Sequence, residues 1–452
     1  EDHYRRLEEK PFTKEQRATT TIVFGGLPEN HEALIKAVFQ GAGYLFENLP
    51  TPTNASFQVG KEYCNSGLCN PSYFTAGALI RFLQSLEKQG LTREQVIDKY
   101  VYFTAADCGP CRFGTYESEY RRALYDAGFG GFRVITFQNN NIIGKGASEP
   151  GLKFNADMGF GILNALILGD LLYEASYQIR PYELNEGDTD QALADVVEIL
   201  STFLREREHF EILERSPDWL SSRLAKKPKF KDIMNSLGKF REHLYGEPFQ
   251  KTLAQCSERL NQVKVDRTRP KPIVKIVGEF FSHISEGDAN YRMFSFLEKE
   301  GAEVGVDTVT NLVLYWLHKA KLGQIRRIGL EPPNPSPRIW QFRKHLGNQL
   351  SFLKKPLLFS AADRLYSRQY HRVGKKMGGI SHGLVKQRIF SGLAAPYYDP
   401  LTRGGEGHLE VAKSIYYTRN RLCHMVLSLK PFGCMPSTQS DGVMAAVTSQ
   451  HD

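Results

Sequence analysis

The chain has 452 residues, enough for two or three domains and a large core. Its apolar content of 41% and aromatic content of 12% are those of a globular protein and exclude a disordered or fibrous chain. The net charge of +8 is uneven: from Lys319 to Lys376, 14 Lys/Arg stand against Glu331 and Asp363, a local net of +12, which leaves −4 for the rest.

In chain order, residues 1–18 are polar and read as an arm. Glu1–Arg5 has no apolar signal core, so a cytoplasmic location is expected. Thr20–Leu27 predicts a strand closing on glycines, and His31–Gly41 a helix. Gly60–Pro71 reads as a loop rich in Gly and Asn, followed by a helix over Tyr73–Gln89. Cys69 therefore lies just before a helix N-terminus, a position that favours a thiolate. The apolar run Tyr100–Phe103 predicts a buried strand, and Glu117–Ala127 a helix; between them Cys108-Gly109-Pro110-Cys111 makes a tight turn. A third strand is expected over Phe132–Phe137. The apolar helix Met158–Tyr177 is interrupted by Asn164 and Asp170, which marks a core helix rather than a membrane span.

Residues 188–263 are helical by period, and Cys256 within them sits at a packed apolar position. A two-proline linker, residues 265–272, leads to a second strand–turn–helix unit: a strand over Ile273–Phe280, a helix over Tyr291–Gly301 and a strand over Ala302–Val306. The basic stretch reads as a helical insertion, about 312–395, broken at Pro332–Pro335. A helix over Leu409–Asn420 and a strand over His424–Leu429 follow, and the strand runs into Gly433-Cys434. The fold class expected is α/β: two Rossmann-like lobes with parallel sheets (1–188 and 265–452), a helical connector (189–264) and the helical insertion.

The seven cysteines are too sparse and odd in number for a secreted disulfide framework. Cys69, the Cys108/Cys111 pair and Cys434 each end at a turn where an open α/β sheet binds ligands. Four thiolates there suit zinc or an iron–sulfur cluster; a thioredoxin-like dithiol at Cys108/Cys111 and unrelated cysteines with no shared site are the other readings. Ligands drawn from distant turns of two lobes fit a cluster in a cleft better than a zinc knuckle. Cys64 and Cys423 are candidate extra ligands. Glu279, Glu406 and His408, at strand ends and a glycine-rich turn, are candidates for proton delivery or for capping. Arg112 either offsets cluster charge or pairs with Glu117. Arg326 and Arg327 stand in the basic stretch, which suits phosphates or an acidic partner, or is a solvated helical face. No DNA- or RNA-binding signature accompanies it, so nucleic acid is not an expected partner, and no Walker A sequence is present.

The runs Gly60-Lys61-Glu62-Tyr63, Cys69-Asn70-Pro71, Cys108–Gly114, Arg180-Pro181-Tyr182-Glu183, Glu406-Gly407-His408 and Lys430–Pro436 together carry a family resemblance. From about residue 20 to its end, the chain resembles the large proteins related to the activator and dehydratase components of 2-hydroxyacyl-CoA dehydratases. Such proteins often carry actin-like ATPase domains upstream. The sequence is expected to correspond to the cluster-bearing part, as a fragment or a separate subunit. The resemblance implies two lobes with an oxygen-sensitive iron–sulfur cluster between them, held by Cys69, Cys108, Cys111 and Cys434. It implies low-potential electrons from an ATP-hydrolysing activase with its own 4Fe–4S cluster. The reaction would be reductive or radical chemistry on a small substrate, such as a CoA thioester. A 4Fe–4S cluster and a double-cubane 8Fe–9S cluster using Cys64 and Cys423 both stay open, and a homodimer is a further expectation. The alternative is a non-enzymatic scaffold with a structural metal and a basic docking surface.

Overall fold

A computed structural model describes residues 9–105, 111–136, 151–207, 211–213, 217, 228–327, 342–379, 381–402 and 405–451. The first unit begins with β1 (Thr21–Phe24), α1 (Glu29–Gly41) and β2 (Leu45–Asn48). It continues with α2 (Asn54–Tyr63), α3 (Asn70–Lys88), α4 (Arg93–Lys99) and β3 (Tyr100–Thr104). It then adds α5 (Tyr116–Asp126), β4 (Arg133–Thr136) and the long α6 (Ala156–Ile179). The four strands form one parallel sheet in the order β2-β1-β3-β4, with Ile22 opposite both Phe46 and Val101. Parallel strands need crossovers, and the helices supply them.

Among the described residues, α7 (Asp188–Arg205), α8 (Pro228–Tyr245) and α9 (Glu247–Asn261) connect the units. The second unit holds β5 (Ile273–Gly278), α10 (Phe280–Ile284), α11 (Met293–Lys299) and β6 (Glu303–Gly305). Then come α12 (Val309–Arg327), α13 (Phe342–Lys376), α14 (Gln387–Ala394), α15 (Gly407–Arg419), β7 (Met425–Leu429) and α16 (Met435–His451). Its parallel sheet has the order β6-β5-β7. Helices dominate, at 64% of the structure, so the two sheets are small within a general α/β architecture.

Helix α6 joins the units. It is apolar nearly all round, which suits a helix buried on every side. Leu168, Leu171 and Leu172 pack into the first core with α1 and α7, while Tyr173 and Tyr177 pack into the second with Val274 and Phe294. Its length and hydropathy would also allow a membrane span, but most of that stretch is buried in the protein. The two polar interruptions explain themselves as ties. Asn164 donates to the His243 carbonyl at 2.9 Å. Asp170 accepts from His31 Nε2 at 2.9 Å and from the amides of Val309 and Thr310 at 2.7 Å each, so a carboxylate on α6 caps the start of α12.

Helices α2 and α3 cross at bare backbone. A Cβ on Gly60 would overlap the Tyr73 carbonyl, and one on Gly77 would overlap the Ser56 carbonyl. Gly60–Tyr63, expected as loop, is the last turn of α2. Strand β2, helix α2 and helix α16 have no counterpart in the sequence reading. The basic stretch is helical in α12 and α13; the Pro332–Pro335 break lies outside the described residues.

Candidate functional site between the sheets

Parallel pairing puts Phe24 and Thr104 at one edge of the first sheet, and Gly278 and Leu429 at one edge of the second. The turns leaving these edges meet around one cavity of about 330 Å³, lined by Cys69, Cys111, Cys434, Arg112, Glu279 and Glu406 among others.

Cys69 is the residue just before α3, with extended backbone, and is buried. Its Sγ lies 3.0 Å from the Tyr116 hydroxyl. Burial pushes its thiol pKa up, with the nearby Glu279 carboxyl adding to the effect. Burial thus works against the thiolate that a helix N-terminus favours. Cys111 opens a short 3-10 turn, Arg112–Thr115, and is half-buried. Burial pushes its thiol up to about 11, and the charges of Glu406, Cys69 and Glu279 work in the same direction. Cys434 is buried before α16, and burial raises its thiol strongly. Cys108 lies outside the described residues.

The turns from the two units are bonded to each other. The Asn70 amide donates to the Phe432 carbonyl at 3.1 Å. Arg112 donates from Nη1 to the Gly433 carbonyl. Gly433 has φ +76°, and a Cβ there would stand 3.1 Å from the Leu68 carbonyl oxygen and 3.3 Å from Cys69 Cα. Only glycine meets both demands without strain. Glu117, the other partner considered for Arg112, pairs instead with Arg121 at 2.7 Å.

Glu279 caps α10, accepting from the amides of Phe281 (3.1 Å) and Ser282 (3.0 Å), while Glu406 accepts from the Phe280 amide at 3.0 Å. Capping and cavity lining are thus combined in these carboxyls. Burial, then repulsion from Glu406, pushes Glu279 up to about 8; burial likewise raises Glu406. Lys319 Nζ donates to the Tyr315 hydroxyl at 3.0 Å, and that hydroxyl donates to the Gly405 carbonyl at 2.9 Å, next to Glu406.

The remaining candidates lie elsewhere. His408 is buried against Tyr315 and Tyr398 and is not on the cavity wall; its Nδ1 has no hydrogen-bond partner, and burial lowers it to about 3. Arg326 is exposed near the end of α12, 3.9 Å from Asp399; the side chain of Arg327 lies outside the described residues. Cys64 packs in the core of the first unit, and Cys423 is half-buried beside Lys275. Neither lines the cavity. Cys256 is fully buried in the core, as its helical spacing predicts.

No family model, curated protein or solved structure matches the chain. The site therefore has to be judged on its own chemistry. Among the described residues, no three His, Cys, Asp or Glu side chains are close enough to hold one metal ion. A single zinc needs its thiolates about 2.3 Å away on every side. A polynuclear cluster instead offers separate irons to separate thiolates around a larger body. The soft sulfurs of Cys69, Cys111 and Cys434 on the wall of one cavity are the type of donor that such a cluster takes. The sequence reading did not single out Tyr116, Tyr315 or Lys319. Tyr116 had a local signal, an aromatic five residues after Cys111 in the same turn; Tyr315 and Lys319 are brought in only by the path of α12.

Proposed function

We propose that the cavity holds an iron–sulfur cluster on Cys69, Cys108, Cys111 and Cys434, and that the chain passes low-potential electrons to a small substrate there. The reading also draws on the resemblance to 2-hydroxyacyl-CoA dehydratase-related proteins. The observation that carries it is the convergence of Cys69, Cys111 and Cys434, from both sheets, on one cavity. When bound, such a cluster supplies one-electron transfer and, where an iron keeps an open position, a Lewis acid.

The chain's own residues have definable tasks. Buried thiols with raised pKa give up their protons on metal binding, so loading releases protons. Arg112, fixed on Gly433, sets a permanent positive charge beside the thiols. The Glu279 carboxyl, protonated near neutral pH, is the proton donor at the cavity wall, with Glu406 as its neighbour. Arg326, exposed and off the cavity, with Arg327 next to it in the sequence, suits docking of an acidic electron-donating partner, an ATP-hydrolysing activase, better than binding within the site.

The test is anaerobic reconstitution with iron and sulfide. Wild-type protein should turn brown and bleach with dithionite. Cys111→Ser and Cys434→Ser should lower iron content and visible absorption. Colourless wild-type protein, or protein that takes up zinc and refuses iron, overturns the reading in favour of a scaffold with a structural metal.

A further inference from the structure

The thiol end is only part of the cavity. Away from it the wall is built from Phe39 of α1, Phe103 of β3, Ile162 and Leu166 of α6, and Val313 and Trp316 of α12. Phe39 and Phe103 stand 5.9 Å apart, ring to ring, within a larger aromatic cluster. The charged side chains among the described lining residues are Arg112, Glu279, Lys319 and Glu406. All four belong to the thiol end, Lys319 by its contact through Tyr315 to Gly405. Trp316 is 43% exposed, which sets it at the mouth.

Two physical points fix the ligand class. An apolar, aromatic-walled space is stabilised by filling it with carbon, while a carboxylate or phosphate placed among these rings would lose its hydration with nothing in return. Size gives the second point. A cavity of about 150 Å³ accepts benzene, so one of about 330 Å³ has room for about two rings even before the thiol end is considered.

We infer that the apolar end of the cavity binds the uncharged carbon skeleton of a one- or two-ring aromatic or alicyclic compound, and presents its functional group to the thiol end. The substrate role rests on the proposed function; the binding itself needs no metal. Val313 and Ile162 are half-buried, packed against the first core on one side and lining the cavity, so a larger side chain there takes up cavity space.

The experiment uses the full chain, metal-free, titrated with the neutral two-ring fluorophore prodan. Saturable binding is expected, displaced by 2-methylnaphthalene and at least tenfold less well by 2-naphthoate. Val313→Trp and Ile162→Trp, checked for folding by circular dichroism, should each weaken the fluorophore at least tenfold and leave iron content after reconstitution unchanged. Absence of saturable binding by folded wild type, unchanged affinity in both tryptophan variants, or equal displacement by the carboxylate overturns the inference. Wild type that binds the fluorophore yet takes no iron supports this inference and overturns the cluster reading instead, so the two fail separately.

Discussion

Removing the Asp170 carboxylate tests how the units are tied together. Its two oxygens take three donors in a fully buried setting: His31 Nε2, the Val309 amide and the Thr310 amide. Hydrogen bonds to a charged group contribute about 1.5–3 kcal/mol each, and leaving a buried donor unpaired costs about 1–3 kcal/mol. Asp170→Ala strands all three donors, but the chain relaxes and lets water reach some of them. The expected loss is about 3–5 kcal/mol, the range for a broken buried pair. Asp170→Asn keeps one acceptor and turns a donor toward one of the two α12 amides, so about 2–3 kcal/mol is expected. Urea denaturation followed by far-ultraviolet circular dichroism measures both. A double-mutant cycle with His31→Ala should show a coupling of about 1–3 kcal/mol, since the two side chains share one bond. A loss under 1 kcal/mol for Asp170→Ala, or additive single and double variants, would refute the view that this carboxylate anchors α12.

Glu174 is buried, accepts from the Tyr370 hydroxyl at 2.7 Å, and is pushed by burial up to about 7. A raised carboxyl binds its proton more tightly in the folded chain, so this contribution is full at low pH and is lost as pH rises through 7. Between pH 5 and pH 7 wild type should lose stability relative to Glu174→Gln by up to about 1.4 kcal/mol per pH unit; parallel urea midpoints would contradict this. Gly433→Ala forces a side chain into left-handed backbone and against Cys69, so stability should fall by about 1–2 kcal/mol and iron uptake should fall with it. Cys256→Ser should cost stability by burying a hydroxyl and leave iron uptake unchanged; iron loss equal to that of Cys434→Ser would show the ligand assignment to be wrong. Changing Arg326 and Arg327 to Glu should block ATP-dependent reduction by an activase while dithionite still reduces the protein. If thioester binding falls instead and electron transfer survives, the basic end of α12 is a substrate site.

The strands and their turns could be read from the chain because their signals are local. Tyr100–Thr104 is a run of aromatic and β-branched residues, and a buried parallel strand leaves such a run. Strand β2, Leu45–Asn48, escaped because only Phe46 of its four residues is buried, which gives no alternation to see. Gly60–Tyr63, the last turn of α2, reads as loop because its glycine is there for the crossing with α3, a tertiary demand that resembles a turn signal. Cys69, Cys111 and Cys434 were legible as turn residues, and parallel pairing brings them together. His408 was not separable from Glu406 by spacing: both sit in one turn, but the start of α15 sends the imidazole into packed aromatics. The apolar wall of the cavity was invisible, since its residues come from α1, β3, α6 and α12, and each looks like ordinary core in its own segment.

The bonded contact between the Cys69 and Cys434 turns has a mechanical consequence. Asn70 to Phe432 and Arg112 to Gly433 fasten the rims of the two sheets at the place where the thiols lie. A pair of jaws parting there would tear its own ligand set in two. Were one unit to swing against the other, a hinge at this seam would keep the thiols near the axis, where displacement is least. Trp316, exposed on the cavity wall, marks a side where a molecule could enter without parting the turns that carry the thiols.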